Sequence, residues 1–131
     1  MTQKEIELIL LRQCASYLAM PIWLMGVDGS LLYYNEAAEA IVGRRFDETG
    51  PMPQQELATI FQMTAEDGSP LVFKDMATTK ALRERRPAHR SLRGRGLDGV
   101  WRSLELTAFP IVGQGGRHLG AVVIFWEAHD K

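Results

Sequence analysis

The chain has 131 residues, with 46% hydrophobic and 24% charged side chains, a length and balance that suit one soluble globular domain and leave little room for a second. Its formal net charge of −1 excludes a generic nucleic-acid binder, which carries a basic excess, and its single cysteine, Cys14, excludes an internal disulfide and suits a reducing compartment. The longest apolar stretches, 8–11 and 119–126, fall far short of the ~20 residues needed to cross a bilayer, and Gln3, Lys4, Glu5 and Glu7 open the chain unlike a signal peptide, so the expectation is a cytoplasmic protein with no membrane or nucleic-acid partner.

Residues 4–18 read as an amphipathic helix. Ile6, Ile9, Leu10, Gln13, Cys14 and Tyr17 recur at spacings of three and four, and Leu8, Leu11 and Leu18 widen the stripe. Pro21 ends that pattern. Two strand-length apolar runs follow, 22–27 and 31–34, joined through Asp28-Gly29, a pair that accepts the positive φ of a tight hairpin turn. Asn35 can cap a helix that starts at Glu36 and stops at Gly43. Residues 44–53 read as a loop, and a short helix follows at 54–61, with Pro53 ahead of it and Leu57, Ile60 and Phe61 on one face. A second loop, 62–72, contains Asp67-Gly68-Ser69-Pro70, and 73–86 is helical by pattern.

Pro87 ends that helix, and strands are expected at 88–96, 101–112 and 118–127. In the middle strand Leu104, Leu106 and Ala108 point one way, Glu105 and Thr107 the other. The last strand is apolar on both faces, so each side of the sheet needs a cover. The order is segregated α+β, and five strands most simply make one antiparallel sheet. The expected division is a flanking helix at 1–19 and a domain at 20–131.

The stretch from Pro21 to Gly43 (apolar strand, Asp28-Gly29 turn, strand ending in Asn35, Ala-rich helix, glycine) resembles the opening of the Per-Arnt-Sim (PAS) sensory domain family. Asp98-Gly99, the pair Phe109-Pro110 and Gly120 with its apolar followers resemble the closing hairpin and final strand of that family. The resemblance implies a five-stranded antiparallel sheet with short helices on one face and a space between them for a small ligand, a cofactor or nothing. It also implies that the opposite face packs on an N-terminal helix or a partner subunit. Many members end in Asp-(Ile/Val)-Thr leading to an output helix; here Phe125-Trp126-Glu127-Ala128-His129-Asp130-Lys131 stands instead. Output through a separate protein is one expectation, continuation in a longer sensor the other.

Strand alternation separates Trp23, Met25 and Val27 from Ile22, Leu24 and Gly26. The family pattern turns Trp23, Met25 and Tyr34 inward, and Phe61, Met76, Leu82, Leu104 and Leu106 complete a candidate pocket, with the Tyr34 hydroxyl as a polar anchor. The photochemical flavin sites of the family need an Asn-Cys-Arg cysteine, which Cys14 is not, and haem needs an axial ligand that His89, His118 and His129 are poorly placed to supply. Neither a metal site nor a catalytic constellation is apparent: Gly94-Arg95-Gly96-Leu97-Asp98-Gly99 has the spacing of a dinucleotide loop but precedes a strand, so it reads as a hairpin bend. A small apolar ligand, or none, is the expectation.

Seven of the eleven arginines (Arg83, Arg85, Arg86, Arg90, Arg93, Arg95 and Arg102) crowd one span with only Glu84 and Asp98 as acids. This is either a docking patch or a solvated, aggregation-resistant strand, and the second reading is preferred. Tyr33, Trp101 and Phe109 fall on the outer face of the sheet, where the residue 4–18 helix can cover them from the same chain or a second copy. The expectation is a homodimer through Ile6, Ile9, Leu10, Gln13, Tyr17, Tyr33, Trp101 and Phe109. The function expected is signal transduction by a sensory module, the alternative a ligand-free interaction adaptor.

Overall fold

Three Asp-Gly loops organise the strands of the computed structural model, which describes residues 6–71 and 76–128. In each, the residue before the turn donates its N–H to a carbonyl four positions on: Gly26 to Ser30, Ala65 to Ser69, Gly96 to Val100. In each, the loop glycine adopts positive φ (Gly29 83°, Gly68 87°, Gly99 81°), which glycine reaches without a Cβ penalty. The aspartate carboxylate then accepts from the N–H two residues later: Asp28 from Ser30, Asp67 from Ser69, Asp98 from Val100.

The first loop joins β1 (Ile22–Gly26) to β2 (Leu31–Tyr34) and the third joins β4 (Ala88–Arg95) to β5 (Trp101–Val112), with β6 (His118–Glu127) closing the chain. The second loop follows β3 (Gln62–Thr64), a sixth strand in a segment that reads as loop in the sequence. The sheet is antiparallel in the order β2-β1-β6-β5-β4-β3. It thus has one strand more than expected, because a three-residue strand carries too little alternation to be seen. Asp67-Gly68 was the available signal.

On one face lie α2 (Glu36–Val42), α3 (Phe46–Thr49), α4 (Gln54–Ile60) and α5 (Ala77–Glu84); α1 (Ile6–Ser16) lies on the other. The one-turn α3 occupies part of the stretch expected as loop, and residues 73–75 of the last predicted helix lie outside the described residues. Asn35 caps α2, accepting from the Ala38 N–H at 3.1 Å, and Gly43 ends it at φ 91°. The β4–β5 loop in turn seals the C-terminal end of α2: the Leu97 N–H donates to the Val42 carbonyl at 2.7 Å, and Arg102 Nη1 to the Ile41 carbonyl at 3.3 Å.

The sheet separates two cores. Met25, Leu31, Tyr34, Ala108, Val123 and Phe125 pack under the short helices. Ile22, Leu24, Ile111, Leu119 and Val122 pack with Ala15, Leu8 and Leu11 of α1. This explains why β6 is apolar on both faces. The face of α1 on the sheet is Leu8, Leu11 and Ala15, with the Arg12 guanidinium 4.5 Å from the Tyr33 ring centre. Ile9, Leu10, Gln13, Cys14 and Tyr17 are exposed instead. Apolar residues surround most of the helix, so spacing alone could not choose the buried side. The side chain of Ile6 lies outside the described residues.

Asn35 is fully buried and joins the two halves. Its Oδ1 also accepts from the Ile22 N–H at 3.0 Å, while Nδ2 donates to the carbonyls of Ala15 at 2.8 Å and Met20 at 2.9 Å. Asn35→Ala orphans these groups and is expected to cost about 3 kcal/mol or more, at 1–3 kcal/mol per buried unsatisfied group. Urea unfolding measures it, and a loss below about 1 kcal/mol contradicts the role. Gly120 has φ 148°, and a Cβ there would lie 2.0 Å from the Met25 carbonyl oxygen of the paired strand. Gly120→Ala is therefore expected to cost about 3 kcal/mol, the upper end of overpacking penalties, by the same measurement.

Candidate functional site

The inner sheet face and the short helices do not close completely on each other. A cavity of about 620 Å³ lies between them, within the range of small-molecule sites, ~300–1,000 Å³. Its floor comes from alternate residues of four strands: Trp23 and Met25, Leu92 and Gly94, Leu104 and Leu106, Val123 and Phe125. Alternation puts these on one face, and Gly94 leaves depth because it carries no side chain. The opposite wall is Ile41 and Val42 of α2, Leu57 and Phe61 of α4 and its end, Met63 of β3, and Met76, Thr79 and Leu82 of α5.

Trp23 shapes the centre. Its ring stands edge-on to Phe61 at 5.3 Å and to Phe125 at 6.2 Å, and stacks on Tyr34 at 5.8 Å. The indole N–H is taken up by the Met25 sulfur, so this tryptophan presents an apolar surface to the cavity. Polar groups gather mainly at the rim: Asp28, Gln54, Gln62, Arg83 and Arg95 are exposed and line its edge. The Asp28 carboxyl is held below its usual range by hydrogen bonds from the Ser30 hydroxyl and N–H, outweighing the opposing effect of burial.

Of the pocket residues expected from sequence, Trp23, Met25, Phe61, Met76, Leu82, Leu104 and Leu106 line this cavity. Tyr34 does not. It is fully buried beside Trp23, and its hydroxyl donates to the Arg44 carbonyl at 2.9 Å and pairs with Thr49 Oγ1 at 3.1 Å. The loop around α3 captures it, so its polar end faces away from the apolar space. Burial pushes the Tyr34 phenol above its usual range, against a lowering by the Thr49 hydrogen bond. Val123 and Phe125 were missed, although alternation from the Leu104/Leu106 partners would have found them. Thr79 was missed because a threonine within a helix carries no pocket signal.

The arginine-rich span does not form one patch. Arg102 bonds Asp98 at 3.1 Å and Glu127 at 3.2 Å, Arg86 pairs with Glu84 at 2.5 Å, and Arg93 lies over the Trp101 ring. Arg83 and Arg95 line the cavity instead. The three outer aromatics also divide. Tyr33 and Phe109 pack in the cluster under α1, whereas Trp101 stays 39% exposed at the far end of β5. The bend of Gly94 to Gly99 is the β4–β5 hairpin loop, as the missing helix implied. Among the described residues no group of three or more His, Cys, Asp or Glu side chains is arranged to hold a metal ion, and no helix is long and apolar enough to cross a membrane.

Solved structures with this architecture include PAS domains. The PAS domain of Bordetella pertussis BvgS matches with a TM-score of 0.69 at 18% identity, covering 97% of this chain and 90% of that one. The PAS domain of nitrogen regulation protein NR(II) from Vibrio parahaemolyticus matches at 0.64 and 17% identity, covering 91% and 98%. The light-state dimer of the fungal blue-light photoreceptor Vivid matches at 0.63 and 13% identity, covering 97% of each chain. No family model matches the sequence, and no curated protein does. The chain has the PAS fold.

Tyr34→Phe tests the separation of this residue from the cavity. It is expected to cost about 1 kcal/mol, the net worth of one hydrogen bond. Because the folded state raises the phenol pKa, the Tyr34 contribution is present below the ordinary tyrosine value of about 10 and is lost as pH rises beyond it. The stability gap between wild type and variant should therefore narrow in alkaline urea titrations; a gap that widens there contradicts this assignment.

Proposed function

We propose that this domain is a sensory module that takes a small apolar ligand into the cavity and transmits its presence through α1 to a second copy or a separate output protein. The cavity itself carries the reading. Protein interiors are close-packed, and an unfilled space lined by large apolar side chains forfeits dispersion contacts. An apolar occupant would restore them. The PAS-fold neighbours support the sensory class, and the dimer named for Vivid supports association as the output.

The strand β1 offers the link between ligand and surface. Trp23 and Met25 face the cavity, while Ile22 and Leu24 on the same strand pack with the α1 cluster. A ligand that displaces Trp23 would therefore alter the seat of α1. The shift available is limited to the difference in ligand affinity between the two arrangements. On α1, Ile9 is 41% exposed and Leu10 54%, and Tyr17 just after it is 90% exposed. These residues form the surface proposed for the homodimer, and a ligand-free adaptor would use the same surface.

Native mass spectrometry and an absorbance spectrum of purified protein test occupancy, and Trp23 fluorescence follows titration with added ligands. Leu106→Trp fills the cavity and is expected to abolish binding while retaining the fold; undiminished binding in that variant moves the site elsewhere. Ile9→Glu with Leu10→Glu leaves the sheet-facing side of α1 intact and is expected to yield a monomer in sedimentation. An unchanged sedimentation coefficient removes α1 from the interface. Clean, ligand-free protein that binds no apolar compound supports the adaptor reading instead.

A further inference from the structure

Four polar side chains meet on the outer face of the sheet, in the half that α1 leaves open. The cluster under α1 draws on β1, β2, β6 and, in β5, on Phe109 and Ile111; it includes no residue of β4. On β4 and β5, His89 stands opposite Thr107 and Ser91 opposite Glu105. Strand alternation puts all four on one face, the face away from Leu104 and Leu106. Trp126, opposite Glu105 on β6, is 39% exposed, with its ring 6.1 Å from that of His89. β3 pairs with β4 only at 93–95, so among the described residues β5 is the one strand that flanks His89.

Each hydroxyl engages one polar atom of its neighbour. His89 Nδ1 lies 2.9 Å from Thr107 Oγ1, and the Ser91 hydroxyl donates to Glu105 Oε2. The other two atoms, His89 Nε2 and Glu105 Oε1, face each other at 3.4 Å, on side chains 50% and 27% exposed. The Ser91 hydrogen bond, outweighing burial and aided by His89, holds the Glu105 carboxyl below its usual range, so it is a carboxylate at neutral pH.

A charge-assisted N–H···O bond runs about 2.7–2.9 Å, so 3.4 Å is long for a pair closed by a proton. Two ligands each about 2.1 Å from a tetrahedral zinc ion stand roughly 3.3–3.5 Å apart. With the ring N–H at Nδ1 and donated to Thr107, the Nε2 lone pair is free for a metal, and a hydroxyl behind each ligand orients it. Imidazole with carboxylate suits zinc; magnesium prefers oxygen alone. A closed zinc site takes four ligands, and among the described residues no third His, Cys, Asp or Glu joins this pair. A second copy, related by a two-fold axis through the ion, presents the same two ligands and completes the four.

We propose that His89 and Glu105 form one half of a zinc site that bridges two copies of this chain across the open half of the outer face, with Trp126 in the contact. The site is independent of the cavity and its occupant.

Zinc chloride added to metal-free, untagged protein tests it. Native mass spectrometry should find one zinc ion per two chains. Sedimentation should show an association that zinc promotes, a chelator reverses and magnesium does not produce. The same association is expected in the Ile9→Glu, Leu10→Glu protein, which separates it from the α1 surface. His89→Gln and Glu105→Gln each remove a ligand from an exposed position and should abolish both effects. Thr107→Val keeps both ligands and should weaken zinc binding at least about tenfold, with no matching change in the thermal unfolding of the metal-free protein. Zinc binding that survives His89→Gln, a zinc ion held by a single chain without association, or no binding at submillimolar zinc overturns the site.

Discussion

The buried amide of Asn35 is the junction on which the two layers depend. An amide carries both an acceptor and two donors, and here all are spent on backbone. The acceptor side closes the start of β1 and the first turn of α2; the donor side binds the end of α1 and the linker after it. One side chain therefore sets where α1 stops, where the first strand begins and how the first helix of the inner layer leaves the sheet. Aspartate could not replace it without turning a carboxylate toward the carbonyls of Ala15 and Met20. An apolar residue of similar size would fill the space and satisfy none of the backbone groups.

Around that junction, the sheet works as a shared wall. In β1, and in β6 from Ala121 onward, residues of odd number face the short helices and those of even number face α1. Packing on one side therefore cannot change without the other side responding, because the same backbone carries both. The β4–β5 loop adds a second tie, since it hydrogen-bonds the last turn of α2 and holds Arg102 between Asp98 and Glu127. With both ends of α2 fixed to the sheet, the space beyond α2 is bounded by α4, β3 and α5. The cavity lies there.

Trp23 and Tyr34, neighbours in the inner layer, differ in where their polar ends go. Trp23 spends its N–H on Met25 and turns hydrocarbon toward the cavity, whereas Tyr34 keeps its hydroxyl for the α3 loop. Both rings are inward by strand alternation and stack on each other. What separates them is where each polar end is satisfied: the Tyr34 phenol by the Arg44 carbonyl and Thr49 in the α3 loop, the Trp23 indole by the Met25 sulfur.

The local devices were readable from sequence: the Asp-Gly loops, the Asn35 cap, the glycine at the end of α2, and the alternation of Leu104, Leu106 and Ala108. Each depends on residues within a few positions of one another, and such short-range rules of backbone geometry and hydrogen bonding are written directly in residue order. Only the tertiary structure decided which side of α1 meets the sheet, that 62–64 joins as a sixth strand, that Tyr34 turns from the cavity, and that Thr79 enters its wall. These outcomes depend on the volumes and polar partners that distant segments bring together. A helix with leucine or isoleucine at Leu8, Ile9, Leu10 and Leu11 offers several faces of similar hydrophobicity, and only the shape of the sheet it meets selects among them.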